Sequence, residues 1–178
     1  MTIRNVGLIG VGLMGHGIGK NIVSKGFGLT VMAHRNREPV ESLKKLGARE
    51  AATPAEVAKA SDMVILCVTG TPQVEELVRG AGGLSASGKK GLIICDCSTA
   101  VPQSTAQLAA ELKEKGITRI LAVCTVGGIA PGLAAGTLAI PDQIIDYTWG
   151  RKATFFEGGE GPVVHVDFTH PYCEATRA

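Results

Sequence analysis

The chain has few of the features that mark nucleic-acid-binding, disulfide-stabilised or membrane proteins. Its formal net charge is only +2, too small to indicate binding to nucleic acid or to an acidic membrane. Its five cysteines lack CxxC spacing and indicate neither a disulfide framework nor a metal site, and the group His165, His170 and Cys173 lacks zinc-site spacing too. The uncharged run Ile120 to Ile140 holds four glycines and Pro131, which favours strand, loop and strand over a membrane-spanning helix.

What is present is the composition of a globular protein. Of the 178 residues, 45% are hydrophobic and 19% charged, which suffices for one domain with a buried core. The first ten residues run directly into an apolar strand pattern, so we expect no cleavable signal peptide. With no disulfide framework, the expected location is the cytoplasm.

Short apolar segments alternate with helical patterns, which predicts an α/β fold of the doubly wound Rossmann type, with a parallel sheet. The strands are expected at 5–9, 28–33, 48–51, 63–68, 91–96 and 119–124. Thr53, Pro54 and Glu56 form a predicted capping box, and Pro102 at a first helical position makes Val101 the predicted cap of the helix it opens.

The chain changes character after Ile140. Six of its seven aromatic residues lie in the last 38 positions, and no long helical period is visible there. We therefore expect a Rossmann domain over residues 1–140 and a short irregular or partly β tail over 141–178, with one more strand at 162–166.

A glycine fingerprint follows the first predicted strand and opens a helix. In this pattern Gly10 allows a tight turn, Gly12 lets the backbone approach a pyrophosphate, and Gly15 lets the helix pack closely on the strand. The loop's amides and the helix dipole then favour phosphate. The motif predicts a dinucleotide site, with a glycine-rich turn that binds nothing as the alternative. The expected cofactor-binding residues are Gly10, Val11, Gly12, Leu13, Met14, Gly15, His34, Arg35, Asn36, Val68, Thr69 and Thr99.

The end of the second strand bears on the choice between NAD and NADP. An acidic residue there would bind the ribose 2′-hydroxyl of NAD, but the sequence reads Ala-His-Arg-Asn-Arg over 33–37 and has no acid before Glu38. Arg35 and Arg37 offer forked donors for the 2′-phosphate of NADP. The alternative is that both are solvated surface arginines. We expect NADP rather than NAD.

A second group of candidates follows the fifth strand. Ser98 and Thr99 lie beyond its carboxyl end, where open parallel sheets bind ligands, and their hydroxyls suit an anion. Helix capping is the alternative, although a cap at Val101 would leave both hydroxyls available. Gly127 and Gly128 form a second loop of exposed amides after the sixth strand. The expected substrate-binding residues are Ser98, Thr99, Gly127 and Gly128.

These motifs resemble those of the β-hydroxyacid dehydrogenases, the relatives of 3-hydroxyisobutyrate dehydrogenase and tartronate semialdehyde reductase. The family's GxGxMG pattern is matched by residues 10–15, with Asn21 in the helix that follows. Its DxST motif is matched by residues 96–99, and its GTL triplet by residues 136–138. The resemblance covers residues 1 to about 140, and 163–166 loosely.

The resemblance implies hydride transfer between a nicotinamide and a small 3-hydroxy acid or its semialdehyde. Two family residues differ, since Val123 stands for an aspartate and Gly127 for a serine. The family's catalytic lysine motif and its helical second domain are not found, and Lys152 lacks the pattern, so the catalytic residue stays unassigned. A catalytically inactive nucleotide-binding module and an imine reductase-like enzyme are the alternatives. Expected partners are a small carboxylate substrate and a second copy of the chain, without nucleic acid or membrane.

Overall fold

The computed structural model describes residues 2–117, 119–122, 131, 132, 137, 140 and 169. Within them, six parallel strands and five α-helices alternate along the chain, as the sequence predicts. The strands are β1 (Asn5–Ile9), β2 (Gly28–Met32), β3 (Arg49–Ala51), β4 (Met63–Leu66), β5 (Ile93–Asp96) and β6 (Arg119–Ala122). The helices are α1 (Leu13–Ser24), α2 (Glu38–Lys45), α3 (Pro54–Ala60), α4 (Thr71–Arg79) and α5 (Pro102–Glu114).

The strand order in the sheet is β3-β2-β1-β4-β5-β6. The winding therefore reverses between β1 and β4, which pair with Ile9 opposite Leu66. This is the Rossmann strand order, and ligands bind such sheets beyond the carboxyl ends of the strands at the reversal. The predicted fold class is confirmed.

The core lies on both faces of the sheet. Successive side chains of a strand point to opposite faces, and Leu8 and Ile9 of β1 accordingly belong to two different clusters. Leu8 packs with Val40 and Leu43 of α2, whereas Ile9 packs with residues of α3, α4 and α5. Both are almost fully buried, which explains why the central strands are nearly continuous apolar runs.

The predicted helix starts are present. The Thr53 side chain accepts a hydrogen bond from the Glu56 N–H at 3.2 Å, and the Glu56 carboxylate accepts one from the Ala52 N–H at 2.9 Å. Val101 is the N-cap of α5 and its side chain makes no cap bond.

Several boundaries differ from the prediction. Strand β4 ends at Leu66 rather than at 68, and β5 begins at Ile93 rather than at 91, where Gly91 adopts a φ of +73°, outside the usual β region. A short 3-10 helix at Leu84–Ser87 was not predicted. Contacts divide the chain into two compact units, Met1–Thr125 and Val126–Ala178. The expected domain boundary at residue 140 stays a prediction.

The predicted strand at 162–166 lies outside the described residues, as do Gly127, Gly128 and Lys152. Among the residues that are described, no helix is long and apolar enough to cross a membrane.

Candidate functional site

At two positions of the fingerprint, contacts within the protein leave no room for any residue but glycine. Gly10 adopts a φ of +99°, and a Cβ there would collide with the backbone carbonyl of Cys67. A Cβ on Gly15 would collide with the carbonyl oxygen of Gly10. The turn after β1 is thus packed against both β4 and α1, and it has no room for a side chain at either position.

Gly12 differs from these two glycines. Its backbone is extended, and a Cβ there would find no atom within 4 Å. The protein's own packing would accept a side chain at this position. The open space beside Gly12 fits the role predicted from the sequence, in which this glycine gives room to a pyrophosphate.

The start of α1 offers hydrogen-bond donors to the same space. The first hydrogen bond within the helix runs from the His16 N–H to the Gly12 carbonyl at 2.8 Å, so the amides of residues 13–15 have no acceptor within the helix. No side chain caps this helix, and its first turn carries no acidic residue. A phosphate would meet free N–H groups and the positive end of the helix dipole.

A cavity of about 860 Å³ lies over this turn. Of the twelve residues predicted to bind the cofactor, Thr99 alone does not line it. Thr99 lies beside Gly70, with its carbonyl oxygen 3.4 Å from a Cβ built on that glycine. The predicted residues that line the cavity are Gly10, Val11, Gly12, Leu13, Met14, Gly15, His34, Arg35, Asn36, Val68 and Thr69.

Part of the cavity wall was not predicted from the sequence. Gln73, Glu76 and Leu77 of α4 line the cavity, and their spacing places them on one face of that helix. The spacing of these three residues is visible in the sequence. It did not identify them as site residues, because a mostly polar helix face usually faces solvent. The other lining residues that were missed are Ile9, Met32, Val40, Cys67 and Pro72.

The two arginines of the β2–α2 loop, residues 33–37, have different surroundings. Arg35 is exposed and lines the cavity. Arg37 does not line it, and its Nη2 instead donates to Glu50 at 2.9 and 3.0 Å and to Glu41 at 3.2 Å. Of the two arginines that the sequence offers to a 2′-phosphate, the structure brings Arg35 alone to the cavity.

Ser98 connects the ends of two neighbouring strands. Its side-chain oxygen accepts a hydrogen bond from the Val68 N–H at 3.0 Å, and its own N–H donates to the Asp96 carboxylate at 2.8 Å. The nearby Thr71 hydroxyl accepts from the Val101 N–H at 2.8 Å. The Ser98 hydroxyl is therefore not a helix cap, and its proton remains available for donation to a ligand.

Two cysteines at the end of β5, Cys95 and Cys97, are poor nucleophiles. Burial raises the pKa of Cys95 to about 12, and burial also raises the pKa of Cys97. The two sulfurs lie 3.9 Å apart, and both thiols are protonated at neutral pH. Over the described residues, no group of three His, Cys, Asp or Glu side chains could hold a metal ion.

The family model for the NAD binding domain of 6-phosphogluconate dehydrogenase matches residues 5–141. A protein of Dictyostelium discoideum, described as a probable mitochondrial 3-hydroxyisobutyrate dehydrogenase, is 29% identical over 162 residues. That match covers 91% of this chain and 50% of that protein. The solved structure of a putative oxidoreductase from Mycobacterium avium 104 has a TM-score of 0.61 and 29% identity, over 71% of this chain and 43% of that one. Solved imine reductases below 25% identity share the fold alone.

A shorter match points to a different class of enzyme. Over 68 residues the chain is 52% identical to a Xylella fastidiosa protein described as a probable S-methyl-5′-thioinosine phosphorylase, which covers 38% of this chain and 29% of that protein. The sequence-based expectations did not include this similarity. The chain thus spans between about a third and a half of the length of these relatives.

The family match covers most of the chain, and the sheet order, the glycine turn and the cavity agree with it. The chain therefore belongs to the family of NAD-binding domains represented by that of 6-phosphogluconate dehydrogenase.

Proposed function

We propose that this chain binds NADP in the cavity over the glycine turn, as the cofactor domain of an enzyme that acts on a small 3-hydroxy acid or its semialdehyde. The observation that carries the proposal is the position of Arg35. It lines the same cavity as the free amides of α1, and no acidic residue precedes Glu38 in that loop. A guanidinium there matches a 2′-phosphate, and the 2′-hydroxyl of NAD lacks its usual carboxylate partner.

On the substrate side, we assign Ser98 and Thr99 to a carboxylate, together with the Gly127 and Gly128 amides. The assignment of these residues rests on the resemblance to the dehydrogenases. The Ser98 hydroxyl can donate to a carboxylate while its oxygen still accepts from Val68. When bound, the nicotinamide supplies the hydride, and the chain's residues bind and orient the two partners.

We also expect that this chain alone catalyses hydride transfer slowly or not at all. Reduction of a carbonyl needs a proton donor within hydrogen-bond reach, and the family's lysine motif is not found in the sequence. Loss of general acid catalysis typically lowers a rate by about 10²–10⁴. A site not closed against water lowers it further.

The test compares binding with catalysis in the same sample. NADPH and NADH are titrated by fluorescence, and oxidation of NADPH is then followed with glyoxylate, succinic semialdehyde and methylmalonate semialdehyde. We expect tighter binding of NADPH than of NADH, and turnover far below a typical enzyme's value of about 10 s⁻¹. Equal affinities would overturn the cofactor assignment, and rapid turnover would show that another residue supplies the proton.

A second candidate function is phosphorolysis of a purine nucleoside. The 52% identity over 68 residues favours it, and the coverage of 29% of the relative is the reason it ranks second. Release of hypoxanthine from inosine, or of the sugar phosphate from S-methyl-5′-thioinosine, would support this function only if it depends on added phosphate.

A further inference from the structure

Arg37 belongs to a ring of four charged side chains outside the cavity. Arg37 donates to both oxygens of Glu50 and to Glu41, and the Lys44 ammonium donates to Glu41 at 3.1 Å and to Glu50 at 3.0 Å. Two cations therefore face two carboxylates. None of the four residues lines the cavity.

Glu50 is the member of this ring that joins it to the sheet. Glu41 and Lys44 belong to α2, and Arg37 is the N-cap of that helix, so contacts among these three lie within one local unit. Glu50 instead comes from β3, in register with Val31 of β2. Its side chain is only 23% exposed, less than that of its partners. Through Glu50, the last residue of the β2–α2 loop is attached to the strand next to β2.

The loop is thereby fixed at its far end. Its first residue follows β2, and its last two are held by Glu50 and by a hydrogen bond from the Glu38 N–H to the Asn36 side-chain oxygen at 3.0 Å. Arg35 lies between these fixed points, and no ion pair involves it within the described part of the chain. Ordering a loop before a ligand arrives reduces the entropic cost of binding.

The ring stays charged at neutral pH. The hydrogen bond from Lys44 holds the pKa of Glu50 below its ordinary value, and Arg37 adds to that effect. Hydrogen bonds from Lys44 and then from Arg37 likewise lower the pKa of Glu41.

We propose that Glu50 is a positioning residue for recognition of the ribose 2′-phosphate. It keeps Arg37 outside the cavity and fixes the end of the β2–α2 loop, so that Arg35 is presented to the phosphate in a preset position. This inference rests on the proposed function, since it assigns the residue that supports NADP selection at the same site.

The test uses the full chain and the variants Glu50→Gln, Arg37→Ala and the double variant, each titrated with NADPH and with NADH. Exposed ion pairs are weak individually, so we expect each single variant to weaken NADPH about two- to fivefold and to leave NADH within error. Because both residues act through one contact, the double variant should lose no more than either single variant. Thermal unfolding by circular dichroism checks that each variant is folded.

Glu111→Gln is the matched control. Glu111 accepts two hydrogen bonds from Arg79, an ion pair between α4 and α5 that does not involve the β2–α2 loop. Its removal should leave both affinities unchanged.

The alternatives give distinct results. Tighter NADPH binding by Glu50→Gln would mean that Arg37, once released, binds the phosphate itself, and it would overturn the inference. An unchanged NADPH-to-NADH ratio in that variant would overturn it as well. A wild-type chain without preference for NADPH would instead overturn the proposed function.

Discussion

The side-chain oxygen of Ser98 accepts a hydrogen bond from the backbone N–H of Val68, at 3.0 Å across 30 residues of sequence. The bond joins the end of β5 to the loop after β4, and Val68 lines the cavity. Ser98 therefore helps to hold one wall of the cavity in place.

Replacing Ser98 with Ala should lower the free energy of unfolding by about 1 kcal/mol, since the partly buried Val68 N–H would lose its partner. Urea unfolding followed by circular dichroism measures this. Ser98→Thr keeps the hydroxyl and is the control. If both variants were as stable as the wild type, the hydrogen bond to Val68 would not contribute to stability. The role left for the Ser98 hydroxyl would then be substrate binding.

Substitutions at the glycines should separate folding from binding. Gly12→Val should leave the fold intact and abolish nucleotide binding, because its side chain would enter the open space meant for the pyrophosphate. Gly15→Val should damage the fold itself, because its side chain would collide with the Gly10 carbonyl. Calorimetric titration with NADPH and thermal unfolding distinguish the two effects.

Gly17→Ala is the control for this series. Gly17 lies in α1, exposed, and a Cβ there meets no atom within 4 Å. Alanine should stabilise the helix by up to about 1 kcal/mol and leave binding unchanged. Unaltered NADPH affinity in Gly12→Val would remove the cofactor assignment of the cavity.

Arg35→Ala should weaken NADPH binding by about 1.5–3 kcal/mol, the range for hydrogen bonds to charged groups, and leave NADH nearly unaffected. Titration of the variant with NADPH and with NADH measures the two changes in affinity. Arg49→Ala is the control, since Arg49 is an exposed arginine of β3 that does not line the cavity. Equal losses for the two nucleotides would mean that Arg35 does not contact the 2′-phosphate.

Stability should fall in acid through Asp62. Its carboxylate accepts hydrogen bonds from the N–H groups of Arg4 and Asn5, at 3.0 and 2.9 Å, and these hold its pKa below the ordinary value. A carboxyl whose pKa is lower in the folded state contributes stability above its unfolded pKa of about 3.9, and loses it as the pH falls through the folded value.

Asp62→Ala should therefore cost about 1–2 kcal/mol at neutral pH, and the difference from the wild type should shrink as the pH falls below the unfolded pKa of about 3.9. Urea unfolding over a pH series measures it. Glu114→Ala, at an exposed carboxylate of α5, should follow the wild-type profile. A difference that persisted at the lowest pH would assign the loss to packing rather than to the charge.

Much of the fold follows from local patterns, which is why it could be predicted. The alternation of strands and helices, the cap at Thr53 and the glycine turn all depend on residues within a few positions of each other. The Ser98–Val68 bond could not be predicted, because it joins two loops whose distance is set by the pairing of β4 with β5.

The pairing of Arg37 with Glu50, outside the cavity, could not be predicted for a similar reason. Its sequence neighbourhood offers Glu41 one helical turn away, but its second partner, Glu50, reaches it only because β3 lies beside β2. The face of α4 that lines the cavity was not predicted either, because polarity alone does not distinguish a cavity wall from an outer surface.

Cys67 lines the cavity beneath the glycine turn, and neither Cys95 nor Cys97 lines it. A nucleotide bound in the cavity should therefore slow the reaction of Cys67 with an alkylating reagent more than that of the other two cysteines. The rate of labelling at this sulfur, measured by mass spectrometry, then reports how much of the cavity is occupied by nucleotide. The measurement does not depend on hydride transfer.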